Sequence, residues 1–145
     1  MKPKDTEKLL ELLKKSGSID DYLQENKDFL LDYDIKEYLN LLIREKKLTI
    51  QQIAKDSELS DRYCYQFLST SNPRTPSREV LLSICIGMKL NLDEIQTALK
   101  IAKFAPLYPK DERDSIIIFG VENSHTVIKI NNALYDHNFK CLCEK

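Results

Sequence analysis

Ser60, Asp61, Arg62, Tyr63, Tyr65 and Gln66 crowd into one short stretch and carry the side chains best suited to recognition chemistry in this chain. On a helix, positions 62, 65 and 66 fall on a common face, being three and four residues apart. Arg62 has a planar fork that matches O6 and N7 of guanine together, and Gln66 could pair with adenine or reach a phosphate. Asp61 can accept from cytosine N4 but repels nearby phosphates. Tyr63 is open between the edge of a core and a phosphate contact. Downstream, the loop STSNPRTPSR offers Arg74 and Arg78 as phosphate clamps, and upstream Thr49 and Gln51 could hydrogen-bond a nucleic-acid backbone.

Other chemistry finds less support. His125 and His137 have no serine, cysteine and carboxylate set at triad-like spacing around them. Cys64 and Cys85 fall on apolar faces and read as small buried hydrophobes. Cys141 and Cys143 could join His137 at a zinc ion, but they do not form a CxxC pair. Three glycines are too few for a phosphate-cradling loop. The expectation is a chain that is not an enzyme and carries no metal or cofactor.

The recognition residues need elements to hold them. LTIQQIAKDSELSDRYCYQFL, residues 48–68, reads as an amphipathic helix, a tight break and a second helix opening on Ser60. Leu48, Ile53 and Ala54 give the first helix an apolar face, while Leu59, Cys64 and Phe67 anchor the second. The Ser60 hydroxyl can accept from a backbone N–H two or three residues on. So short a turn forces a steep crossing and leaves the outer face of the second helix prominent, the geometry of a helix-turn-helix.

Around this pair the chain resembles the lambda-repressor-like (Xre-type) helix-turn-helix family over residues 35–90. The resemblance rests on the leading helix IKEYLNLLIREKK with its stripe of Ile35, Tyr38, Leu39 and Leu42. It continues through Leu48-Thr49, the small Ala54, Leu59-Ser60, Pro76-Ser77, and a helix carrying Leu81, Leu82, Ile84 and Cys85. Met88–Asn91 then leads into a fifth helix. From Asn91 onward, through APLYPKDERD, the chain also looks like the C-terminal extension of some Xre-like bacterial proteins. The resemblance implies a five-helix domain with a recognition helix at residues 60–69 that enters the DNA major groove. Departures are equally specific. Glu58 stands where the family places a turn glycine, and a left-handed Glu there would be strained by about 1 kcal/mol. Ile43 and Leu68 replace an Arg–Glu pair, an exchange an apolar core tolerates. Ile50 falls where the family often has glutamine, with Gln51 and Gln52 just beyond.

The rest of the chain also reads as helix. Thr6–Lys15 has leucines on one side and stops at Ser16-Gly17. Ser18 opens a segment, residues 18–33, with five carboxylates and one Lys, most simply a solvated face. NLDEIQTALKIAKF begins with Asn91 and Glu94 in capping-box spacing. After the stiff Pro106–Pro109 connection, Lys110–Asn123 and Thr126–His137 form a final helical pair, with Ile116, Ile117 and Ile118 read as buried helix rather than strand. Ile95, Ala98, Leu99 and Phe104 are echoed by Ile130, Ala133, Leu134 and Phe139, which reads either as a duplication or, the simpler account, as two hairpins packed alike.

The expected architecture is therefore all-α: an N-terminal helical extension at 1–33, a helix-turn-helix domain at 34–104, and a C-terminal helical hairpin at 105–145 packed on the same domain. Net charge is −1, distributed as −2, +2 and −1 over those three segments. Only the middle one is basic, and weakly, so a monomer should hold phosphates loosely and a homodimer better. The hairpin, through Ile117, Phe119, Leu134 and Phe139, should supply a dimer interface or a second layer of core. No run approaches the ~18 apolar residues of a membrane span and no apolar signal core opens the chain, so a cytoplasmic location is expected. The functional expectation is a transcriptional regulator of double-stranded DNA. The alternative is a protein-interaction adaptor on the same fold, with Tyr63 and Tyr65 as anchors for a protein partner.

Overall fold

The computed structural model describes residues 6–21 and 34–142, and every regular element among them is helical. Two compact units are distinguished, Met1–Asp32 and Tyr33–Lys145. In the first, α1 (Thr6–Lys15) leaves Leu10 and Leu13 exposed, and the Ser16 N–H donates to the Leu13 carbonyl at 3.3 Å. The Asp21 N–H meets the Ser18 hydroxyl at 3.4 Å, and the remainder of the acidic segment, 22–33, lies outside the described residues.

The second unit holds α2 (Ile35–Lys46), α3 (Ile50–Ser57), α4 (Asp61–Leu68), α5 (Arg78–Gly87), α6 (Leu92–Ile101), α7 (Glu112–Glu122) and α8 (Val127–Asp136). Its helices begin where the sequence places cap residues. Side-chain oxygens of Asp34, Thr49, Ser60, Ser77, Asn91, Asp111 and Thr126 each accept from an N–H three residues on, satisfying a first-turn donor that has no helical partner. Asn91 and Glu94 complete the reciprocal capping box.

The helix ends follow a second rule that composition hides. Six of these helices close on a residue with positive φ, namely Lys47, Glu58, Lys89, Lys103, Ser124 and Asn138, and none of the six is glycine. The next residue then donates back five positions: Leu48 to Ile43, Leu59 to Ala54, Leu90 to Cys85, Phe104 to Leu99, His125 to Gly120 and Phe139 to Leu134, all at 2.8–3.1 Å. This is the Schellman closure, in which a residue beyond the cap folds back on the last turn. It also accounts for the sequence echo, because Phe104 and Phe139 occupy the same place in two such closures.

Packing centres on α5, buried on nearly all sides, with Leu81, Leu82, Ile84 and Cys85 fully inaccessible. It packs against α3, α6 and α8. Gly87 is required for the approach to α3: a Cβ there would lie 2.8 Å from the Ser57 backbone nitrogen. Ala54 is buried in the same region. Ile117 and Leu134 of the final hairpin are fully buried in the common core with Leu39, Ile53 and Leu99. Of the two roles the sequence left open for them, they serve as core. Phe119 points outward at 65% exposure, and Phe139 is half-buried. Ile116–Ile118 are helical, with Ile117 inward.

A glycine at position 58 relieves the left-handed strain of Glu58 (φ 60°, ψ 32°) while keeping its backbone bonds. Glu58→Gly is expected to raise stability by about 0.5–1 kcal/mol in urea unfolding. Gly87→Ala, with no room at α3, is expected to lower it by about 1–3 kcal/mol. The reverse order would contradict this account of the α3 end.

Candidate nucleic-acid interface

α3 and α4 are joined by Glu58, Leu59 and Ser60, a turn tight enough to pack the two helices directly against each other. Glu58 takes the left-handed conformation for which the sequence offered no glycine, and its N–H still reaches Lys55 at 3.3 Å. Ser60 then reverts to extended backbone, and its hydroxyl accepts from Tyr63 at 3.1 Å. Cys64, Phe67 and Leu68 drive the inner face of α4 into the core. Asp61 and Arg62 in the first turn, and Tyr65 at 62% exposure one turn on, face solvent. Among the described residues Arg62 makes no ion pair, so neither Asp61 nor Glu58 sequesters it.

The far end of α4 departs from its neighbours. Ser69 is extended (φ −74°, ψ 124°), so the chain leaves straight into the loop 69–77 instead of folding back. The last carbonyls therefore need other donors, and α2 supplies them. Lys36 is 5% exposed, yet its ammonium donates to the carbonyls of Gln66 at 3.1 Å, Ser69 at 3.0 Å and Asn72 at 2.6 Å. Those three acceptors match the three donors of an ammonium. The Asn40 amide adds a bond to the Leu68 carbonyl at 2.7 Å. A cation at this end also complements the helix dipole. Burial pushes the Lys36 pKa down, with the Asp34 carboxylate opposing the shift. The sequence reading missed both residues. Their signal was a Lys and an Asn four apart, flanking the apolar stripe of α2.

The loop returns Arg74 onto the outer side of α4. Its guanidinium donates to the Gln66 side-chain oxygen at 2.8 Å and the Tyr63 hydroxyl at 3.1 Å. It also stacks 4.8 Å from the Tyr63 ring centre and 5.1 Å from that of Phe67. Tyr63, half-buried and edge-on to Phe67 at 4.9 Å, thus belongs to both core edge and surface. Gln66 is half-buried and engaged by Arg74. Thr49 and Gln51 are exposed at the start of α3, where the Thr49 hydroxyl caps Gln52 at 3.2 Å.

Arg78 stands apart from this group. It donates to the Ala105 carbonyl at 3.0 Å and to both Asp114 oxygens at 3.3–3.4 Å. Asp114 also accepts from the Tyr108 N–H at 3.0 Å, and Arg113 pairs in two places with Glu79. Glu79 hydrogen bonding and charge raise the Arg113 pKa further. This network ties α5 to α7 and occupies the Arg78 guanidinium, so the phosphate-clamp expectation for Arg78 does not fit its geometry. A proline-punctuated loop with two arginines gave no sign that one of them turns inward.

Among the described residues no group of three His, Cys, Asp or Glu is arranged to hold a metal. The His137 ring binds the Ala133 carbonyl at 2.8 Å, Cys141 approaches the Asn131 carbonyl at 3.4 Å, and Cys143 lies outside the described residues. Cys64 and Cys85 are buried, and burial pushes the Cys85 thiol up. No described helix is long and apolar enough to cross a membrane. Comparison with protein-family models, curated proteins and solved structures finds no match for this chain.

Lys36→Met removes three charge-assisted bonds and leaves their carbonyls without a donor. The expected loss is about 2–4 kcal/mol in denaturant unfolding, with amide exchange accelerating first in the last turn of α4. A loss under about 0.5 kcal/mol, within the range of an ordinary surface substitution, would show that Lys36 does not hold that end.

Proposed function

We propose that α3 and α4 form a lambda-repressor-like (Xre-type) helix-turn-helix and that the chain binds double-stranded DNA with α4 in the major groove, as a transcriptional regulator. The observation that carries this reading is the outer face of α4. Arg62 and Tyr65 are exposed there, and Arg74 is held flat beside Gln66 by two hydrogen bonds and two ring contacts. A helix with a rigid polar face, capped at one end by Ser60 and at the other by Lys36, suits base-edge recognition because its side chains start near their bound geometry. Arg62 reads guanine through its fork, and Arg74 lends positive charge to a chain whose net charge is −1. Thr49 and Gln51 contact the DNA backbone and fix register. The low net charge makes a homodimer part of the proposal, because two recognition helices about 34 Å apart engage successive turns of the groove.

A protein-interaction adaptor remains a second reading, favoured by the 62% exposure of Tyr65 and the near-neutral charge. The two are separated by selecting duplexes from a random pool at two salt concentrations and testing Arg62→Ala on the selected site. Under the DNA reading, affinity falls steeply with salt, and the variant loses about 1–3 kcal/mol on that site while nonspecific binding barely changes. Salt-independent binding, or no enrichment of any sequence, would remove the DNA reading.

A further inference from the structure

A cleft away from the α4 face lies between α3, the end of α5 and the turn joining α7 to α8. It encloses about 230 Å³. That is below the ~300–1,000 Å³ of sites for drug-sized ligands, which limits an occupant to a small molecule. Ile86, Leu90 and Val121 supply apolar lining, the first two almost fully buried and therefore fixed in place. Lys89, His125 and Thr126 supply the polar side.

We propose that this cleft binds a small monocarboxylate with a short apolar body. Among the described residues the Lys89 ammonium makes no ion pair, and the His125 ring nitrogens make no hydrogen bond. The ring meets Phe119 only edge-on, at 5.9 Å between centres. Both side chains are presented by left-handed closures, Lys89 itself (φ 60°) and Ser124 (φ 56°) just before His125, which fixes the backbone that carries them. Thr126 caps α8 by accepting from Lys129 at 3.1 Å, and the first amides beyond it have no helical acceptor. Lys89, His125 and Thr126 line the same cleft as Ile86, Leu90 and Val121, so cationic and donor groups stand in one cleft with an apolar lining for a hydrocarbon body. Asp56, on the α3 side, sets the charge limit: it opposes a second negative charge, which disfavours phosphate and dicarboxylates. The inference stands whether or not α4 reads DNA.

The test uses the full chain, labelled with nitrogen-15 and titrated with 4-methylvalerate, its isosteric amide 4-methylvaleramide, and inorganic phosphate. The expected result is saturable shifting of the Val127, Ile128 and His125 amides by the carboxylate alone. Lys89→Gln, a solvent-facing change that leaves the remaining spectrum intact, should weaken that binding roughly tenfold, about 1.4 kcal/mol. Shifts that do not saturate, equal binding of the amide, or phosphate binding as tightly as the carboxylate would each overturn the proposal.

Discussion

The arrangement depends most on a single buried ammonium. Seven helices of the larger unit must all be ended, and six fold back on a left-handed residue. α4 cannot do so and still send the chain outward into the loop that carries Arg74, so its terminal carbonyls would be left without donors. Lys36 resolves this from α2, thirty residues upstream, by meeting the Gln66 carbonyl of the last turn together with those of Ser69 and Asn72 in the loop that follows, while Asn40 meets Leu68. Burying a charge is costly unless it is fully hydrogen-bonded, and here every donor of the ammonium has an acceptor. The same contact fixes α4 against α2 and aims its outer face.

The exterior of α4 and the loop then act as one piece. Arg74 lies over Tyr63 and Phe67 while bonding Gln66, so the loop is fastened to the helix it follows. At the other end of that loop Arg78 is fastened to Asp114, tying α5 to the C-terminal hairpin. Two arginines four residues apart thus perform opposite tasks. One adds charge to an exposed face, and the other joins two parts of the core.

What the sequence made legible was local. Cap residues such as Ser60 and Asn91 act within three residues, and apolar stripes such as Ile35, Leu39 and Leu42 declare a buried face by spacing alone. The all-helical composition of the described residues followed from these signals. The left-handed closures were partly hidden because Lys, Glu, Ser and Asn fill positions where glycine would have announced them. The partners of Lys36, Arg74 and Arg78 were invisible for a different reason. Long flexible cations choose acceptors by three-dimensional proximity, and contacts such as Lys36–Asn72 and Arg78–Asp114 span thirty-six residues. Exposure of Arg62 and Tyr65 was readable from helical phase, whereas the inward turn of Arg78 was not.

The central claim is that α4 presents its outer face to DNA. It is tested most directly by titrating the nitrogen-15-labelled chain with its selected duplex and mapping which amides and arginine side chains respond. The account predicts that the largest changes fall at Thr49–Gln52, Ser60–Gln66 and the Arg62 and Arg74 guanidinium groups, with α7 and α8 little affected. Changes centred on the C-terminal hairpin, with α4 silent, would contradict it.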